Sequence, residues 1–236
     1  MMKDKIIATH QPNYIPWMGY FYKISQCDIF VFLDDVQFSK TGAHNYHYIK
    51  TPDGSLKLKI PVKHGFIDPI NNVITNDNSG WKKRHLDDLR KNYKDAPFFE
   101  SVFIEFEKIL LEEKTNLAEF NIGIIQFFIK KFGLNTTTIK SSELNLDINL
   151  KGENRIIEIC KSLDASIYYS GKGARAYQNE VNFNLNNLKL VYDDFSPFKY
   201  NQLLGEFISN VSVLDYVFNY GYDWKKYLEM FKQVRN

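Results

Sequence analysis

An apolar run that comes back after a single helix constrains this chain more than any other feature. "IIATH" (6–10) reads as a short strand, and a helical segment over 16–25 follows it, with Pro16 suited to the first turn. "CDIFVFLDD" (27–35) then returns as a nearly continuous apolar stretch, the pattern of a strand buried on both faces. Strand, crossover helix and second buried strand make a β-α-β opening, which implies parallel neighbours. Further on, "YHYIKTPDGSLKLKIPVK" (46–63) predicts a hairpin, because Pro52-Asp53-Gly54 is a strong turn and "LKLKIPV" alternates.

The middle of the chain predicts three helices. Ser79 or Gly80 caps the first, which runs through Leu86, Leu89 and Tyr93; the second starts near Pro97; the third follows Thr115 and stops at Gly133. Strand and helix then alternate again through "TTTIKSS" (136–142), a helix over 153–163, "SIYYS" (166–170) and "LKLVYDDF" (188–195), before two short helices. The expectation is a single α/β domain over 1–236, with a mainly parallel sheet and a helical insertion at about 80–133.

Charge argues against several partners. The 30 basic and 28 acidic side chains are well mixed and leave a formal charge of +2, so no general field attracts nucleic acid or an anionic membrane. The most basic run, Lys82-Lys83-Arg84-His85, reads as a solvated helix face. "IGIIQFFI" (122–129) is far shorter than the ~20 residues that span a bilayer, and reads as a buried helix. Cys27 and Cys160 imply neither a disulfide nor a metal site, and no signal peptide precedes the first strand; a reducing cytoplasm is expected.

Ligands of open parallel sheets bind outside the carboxyl ends of the strands. The first such end here is "THQPNYIP", in which Pro12 and Pro16 fix two torsions and remove two donors. That stiffness lowers the entropic cost of presenting His10 and Gln11; a rigid turn with a satisfied histidine is the competing reading. The second strand ends in Asp34-Asp35, which could bind a cation or a sugar hydroxyl, hold the imidazole in one tautomer, or merely satisfy backbone donors. Ser141-Ser142 follow a later strand as phosphate donors or as helix caps. In "YYSGKGARAY" (168–177), Ser170, Gly171 and Gly173 allow close backbone approach while Lys172 and Arg175 offer charge for a phosphate. The spacing is not that of a Walker loop or a dinucleotide fingerprint, so a tight turn without a ligand stays open. Sugars and bases stack on aromatic faces, and Tyr14, Trp17 and Tyr177 are the rings placed for it.

"HQPNYIPWMGYFYKI", "DIFVFLDDVQF", "LKIPV", "YYSGKGARAY" and "YNQLLGEFISNVSVLDYVFNYG" together resemble the WbqC-like protein family, from about Ile6 to Gly221. The resemblance implies a role in bacterial surface-polysaccharide gene clusters, particularly O-antigen and hence lipopolysaccharide biosynthesis. Members are generally described as transferases, some as glycine or aminoacyl transferases acting on amino sugars. The opening motif maps to His10, Gln11, Pro12, Tyr14 and Pro16; the acidic strand end maps to Asp34 and Asp35; the serine-glycine turn maps to Ser170, Gly171 and Gly173, with Tyr177 after it. One element departs. Where related sequences tend to show an Asn-Arg-Asn-like element, this chain reads His44-Asn45-Tyr46-His47, so Asn45 remains as a substrate contact without the arginine, unless His44, His47 or Lys50 replaces it.

The resemblance and the residues together lead to a transferase that acylates or aminoacylates the amine of a nucleotide-linked amino sugar. His10 is then the general base and Asp34 or Asp35 its orienting partner or a sugar ligand. Gln11, Tyr14, Asn45, Ser142, Ser170, Gly171, Lys172, Gly173, Arg175 and Tyr177 are the substrate-binding set, and no metal site is implied because His44 and His47 diverge in a strand. A more distant likeness, to nucleotidyltransferases of the HxGH type, implies adenylyl transfer with ATP and a magnesium ion on Asp34; the second histidine and the glycine of that motif are absent. A non-catalytic sugar-binding module is the third reading. No cofactor is otherwise specified, nor is an oligomeric state.

Overall fold

Apolar strands that follow one another through helices have one economical solution, a parallel sheet, and the protein adopts it. The computed structural model describes residues 4–147 and 149–234. In chain order the elements are β1 (Ile6–His10), α1 (Met18–Ser25), β2 (Ile29–Phe32), β3 (Tyr46–Thr51), β4 (Gly54–Lys59), β5 (Val62–Lys63), β6 (Ile74–Thr75), α2 (Trp81–Tyr93), α3 (Phe99–Leu110) and α4 (Leu117–Lys131). They continue with β7 (Thr137–Lys140), α5 (Gly152–Ser162), β8 (Ile167–Ser170), α6 (Glu180–Leu185), β9 (Lys189–Tyr192), α7 (Val213–Tyr220) and α8 (Trp224–Gln233). Residue contacts divide the chain into two units. One comprises β1 through Gln11, Tyr20–Val36 and Leu134–Phe195; the other comprises Pro12–Gly19, Gln37–Gly133 and the chain from Ser196 onward.

The first unit is the α/β part. Its five-stranded sheet has the order β7-β2-β1-β8-β9, and every neighbouring pair is parallel. The β-α-β opening is therefore as expected: Ile7 pairs with Ile29 and His10 with Phe32. Phe30, Val31 and Phe32 are fully buried, which is why β2 reads as a continuous apolar run. Ile156, Ile157, Ile159 and Cys160 of α5 and Phe183 of α6 pack with Ile7, Val31, Tyr168 and Leu190 into one core. The strands step from β1 to β2 to β7 on one side, then resume with β8 and β9 on the other. The direction of winding switches between β1 and β8.

The second unit holds the helices and two small antiparallel pairs, β3 with β4 and β5 with β6. The hairpin turns on two residues, Pro52 and Asp53, with Thr51 opposite Gly54. The three middle helices stand where periodicity places them, and the Asn116 side chain accepts from the Glu119 N–H to cap α4. Ile124, Ile125 and Phe128 of "IGIIQFFI" are fully buried, and no helix among the described residues is long and apolar enough to cross a membrane. The basic run splits in two. Lys83 and Arg84 are exposed, whereas His85 is buried and bonded to the Tyr14 hydroxyl at 2.9 Å. The helix expected from Pro16 begins two residues later, at Met18. Ile15 turns the chain at φ 35°, and Pro16 O accepts from the Val213 N–H while Trp17 bridges to Ser212, so both stay extended.

Candidate functional site

In a sheet of this winding, the crevice at the carboxyl ends of the two strands flanking the reversal is where a ligand fits. A cavity of about 410 Å³ lies there in the first unit. Its lining includes Thr9, His10 and Gln11 after β1, Ser170, Gly171 and Gly173 after β8, Lys23 from α1, and Gly152, Glu153 and Arg155 at the start of α5. That volume is within the usual range for a small-molecule site.

His10 is held in one tautomer. Its Nδ1 lies 3.0 Å from the Gln11 carbonyl, which can only accept, so Nδ1 carries the hydrogen and the neutral ring keeps its lone pair on Nε2. The Tyr20 hydroxyl donates to the same carbonyl at 2.9 Å, and the two rings meet edge to face with centroids 4.9 Å apart. Around the turn after β8, Ser170 Oγ donates to Gln178 Oε1 at 2.7 Å. Tyr177 is 73% exposed, leaving a ring face at the rim.

The acidic pair faces the serine pair. Asp34 Oδ1 accepts from the Ser142 N–H at 3.0 Å and Oδ2 from the Ser142 hydroxyl at 2.6 Å. Ser141 donates to both aspartates, and Asp35 also pairs with the Arg155 guanidinium. Ser141 and Ser142 thus neither cap their short helical turn nor stand as spare phosphate donors; they tie the ends of β2 and β7 together. Asp34 and Asp35 are not among the cavity's lining residues, and Asp35 reaches it through Arg155.

Four of the expected contacts are engaged elsewhere. Tyr14 is fully buried in the second unit, where Trp81, His85 and Phe120 surround its ring. Burial pushes its hydroxyl well above the ordinary tyrosine range. Asn45 is also buried in that unit and donates to the Ile60 carbonyl at 2.9 Å. Lys172 Nζ donates to the Phe195 carbonyl, and the Arg175 guanidinium sits 4.8 Å over the Tyr192 ring. Neither lines the cavity. The proposed substitutes for the missing arginine face inward too: burial lowers His44 and His47 to about 4, and Lys50 Nζ donates to Gln202 Oε1 at 3.1 Å.

Two cations that local sequence reading passes over do line the cavity. Lys23 is 8% exposed and donates to the Thr9 carbonyl at 2.9 Å. Burial lowers its amine to about 8, with Asp193 pulling the other way. Arg155 is as deeply buried, and its Nε has no hydrogen-bond partner. The signal for both is a basic residue on the apolar face of a helix, in "GYFYKI" and "GENRII". Among the described residues no group of three His, Cys, Asp or Glu side chains is arranged to hold a metal ion.

The sequence profile of the WbqC-like protein family matches residues 11–227. The chain belongs to the WbqC-like protein family. A further relative is an uncharacterized protein, Rv1507c, of Mycobacterium tuberculosis (strain ATCC 25618 / H37Rv), 34% identical over 233 residues, covering 97% of this chain and all of that protein. No solved structure matches the chain. In this member of the WbqC-like family His10 and the Ser170–Gly173 turn, about 160 residues apart in sequence, line one cavity.

Proposed function

We propose that the protein transfers an acyl or aminoacyl group onto the amine of a nucleotide-linked amino sugar during the assembly of bacterial surface polysaccharide. One observation supports this reading above the others: His10, with Nδ1–H committed to the Gln11 carbonyl, lines a cavity at the switch between β1 and β8 together with Lys23 and the glycine turn. The substrate class in this reading is carried over from what the resemblance to the family implies.

In this mechanism the sugar amine attacks the carbonyl carbon of an activated acyl donor. His10 Nε2 takes the proton from the attacking nitrogen, and the donor's leaving group departs with the electron pair of the bond that breaks. A base of this kind contributes about 10²–10⁴ in rate. Arg155, held by Asp35, positions the substrate, while Ser170, Gly171 and Gly173 let the protein backbone approach it closely. Gln11 and Tyr177 complete the contacts at the rim. His10→Ala protein should fold, bind a nucleotide-sugar within about twofold of wild type, and lose on the order of 10²–10⁴ in kcat. Undiminished turnover in that variant would end the assignment.

A second reading, adenylyl transfer, is favoured by the strand order itself, with a histidine at the end of the first strand on the switch side. It predicts release of pyrophosphate from ATP in the presence of a candidate acid, which acyl transfer from a preactivated donor does not require.

A further inference from the structure

The cavity is lined by three basic side chains whose charges are handled differently. Arg155 is neutralised by Asp35. His10 is bonded to a neutral carbonyl. Lys23 makes no ion pair among the described residues, and its one hydrogen bond goes to the Thr9 carbonyl. An ammonium has three N–H donors, so two remain for whatever occupies the cavity. The acid that pulls on it, Asp193, is occupied on Oδ1 by the Tyr169 hydroxyl at 3.2 Å and the Phe195 N–H at 2.6 Å.

The turn after β8 stands beside this ammonium. A Cβ placed on Gly171 would lie 3.9 Å from Lys23 Nζ, so glycine leaves open the space in front of the charge. Burying an ammonium whose acidic neighbour, Asp193, attracts it without a direct ion pair is costly. An anionic ligand would supply both the opposite charge and the missing acceptors, in short charge-assisted hydrogen bonds.

From this geometry we infer that Lys23, beside the Gly171–Gly173 turn, binds the pyrophosphate group of a nucleoside-diphosphate ligand, in place of Lys172 and Arg175. The inference rests on reading the cavity as the ligand site, but not on what His10 does there.

Inorganic pyrophosphate and uridine diphosphate are the probes, titrated by calorimetry and thermal shift at pH 7. Wild type should bind both. Lys23→Met should weaken each by about tenfold or more, the loss expected for one charge-assisted contact. Lys172→Met, Arg175→Met and His10→Ala should each stay within about twofold. Gly171→Val supplies a check that leaves the lysine in place: φ of −71° and ψ of 147° suit a β-branched residue, and the added methyls should still weaken both probes by about fivefold. Binding of neither probe by wild type, unchanged affinity in Lys23→Met or Gly171→Val, or a loss that follows Lys172 or Arg175 would overturn the inference. A His10→Ala protein that turns over normally while Lys23→Met loses pyrophosphate would remove the catalytic reading and leave this one standing.

Discussion

Lys23 illustrates how a single buried charge couples a site to stability. In the folded protein its amine sits at about 8, below the ordinary 10.5, because burial removes water from the ammonium; Asp193 and Cys27 oppose the shift. Between these two values the unfolded chain holds the proton and the folded chain does not, so stability gained from this group rises with pH. The slope is at most about 1.4 kcal/mol per pH unit. Cys27 and Cys160, raised by burial to about 12, act in the opposite sense above pH 9. The comparison of wild type with Lys23→Met therefore belongs between pH 8 and 9. Urea melts should show the wild type gaining on the variant by about 1 kcal/mol across that unit; parallel pH curves would mean that the amine is not buried as described. His10 shows the complementary case, in which one hydrogen bond decides which nitrogen carries the hydrogen.

Among the elements, the ends of β2 and β7 owe their geometry to each other. The carboxylates after β2 and the serines after β7 saturate one another, so β2 and β7 end in register, Phe32 beside Lys140. Helix α7 ends differently, through backbone conformation. Gly221 stands at φ 68° and ψ −162°, a region that L residues rarely enter, and its N–H donates to the Val217 carbonyl at 2.9 Å. A Cβ there would also come within 3.1 Å of the Phe98 ring. Gly221→Ala should cost about 1–3 kcal/mol, seen as a lower urea midpoint with an unchanged slope. An unaltered midpoint would show that this turn relaxes freely.

Across the whole molecule, the second unit concentrates buried imidazoles. His44, His47 and His85 are each lowered from 6.5 to about 4, first of all by burial. All three are neutral when folded, and His47 Nδ1 accepts from the Tyr48 N–H at 2.9 Å, a bond that protonation abolishes. As pH falls below 6.5 the unfolded chain takes up protons first, and stability drops by about 1 kcal/mol per unit for each imidazole between pH 6.5 and 5. Melting temperature should fall between pH 6.5 and 5, above the carboxylate range, and His47→Gln should flatten the decline by about one third. A melting temperature flat over that interval would contradict it. At this scale the limits of local reading are also visible. The β-α-β opening, the Pro52-Asp53 hairpin and the three middle helices were legible because period, caps and turn residues act within a few positions. Tyr14 was not, because a tyrosine in a proline-flanked loop looks the same whether it faces a ligand or, as here, Trp81 and His85.

The residues themselves determined which segments are strands and helices, and that an imidazole stands at the end of the first strand. Tertiary structure alone decided that β8 lies beside β1, which creates the reversal and its cavity. It also decided which cations face that space: Lys23 does, while Lys172 turns to the Phe195 carbonyl and Arg175 to Tyr192. The reason is physical. Strand pairing and the partnering of buried charges are settled between groups distant in sequence, such as Asp34 with Ser142, and the local pattern around either group carries no record of the other.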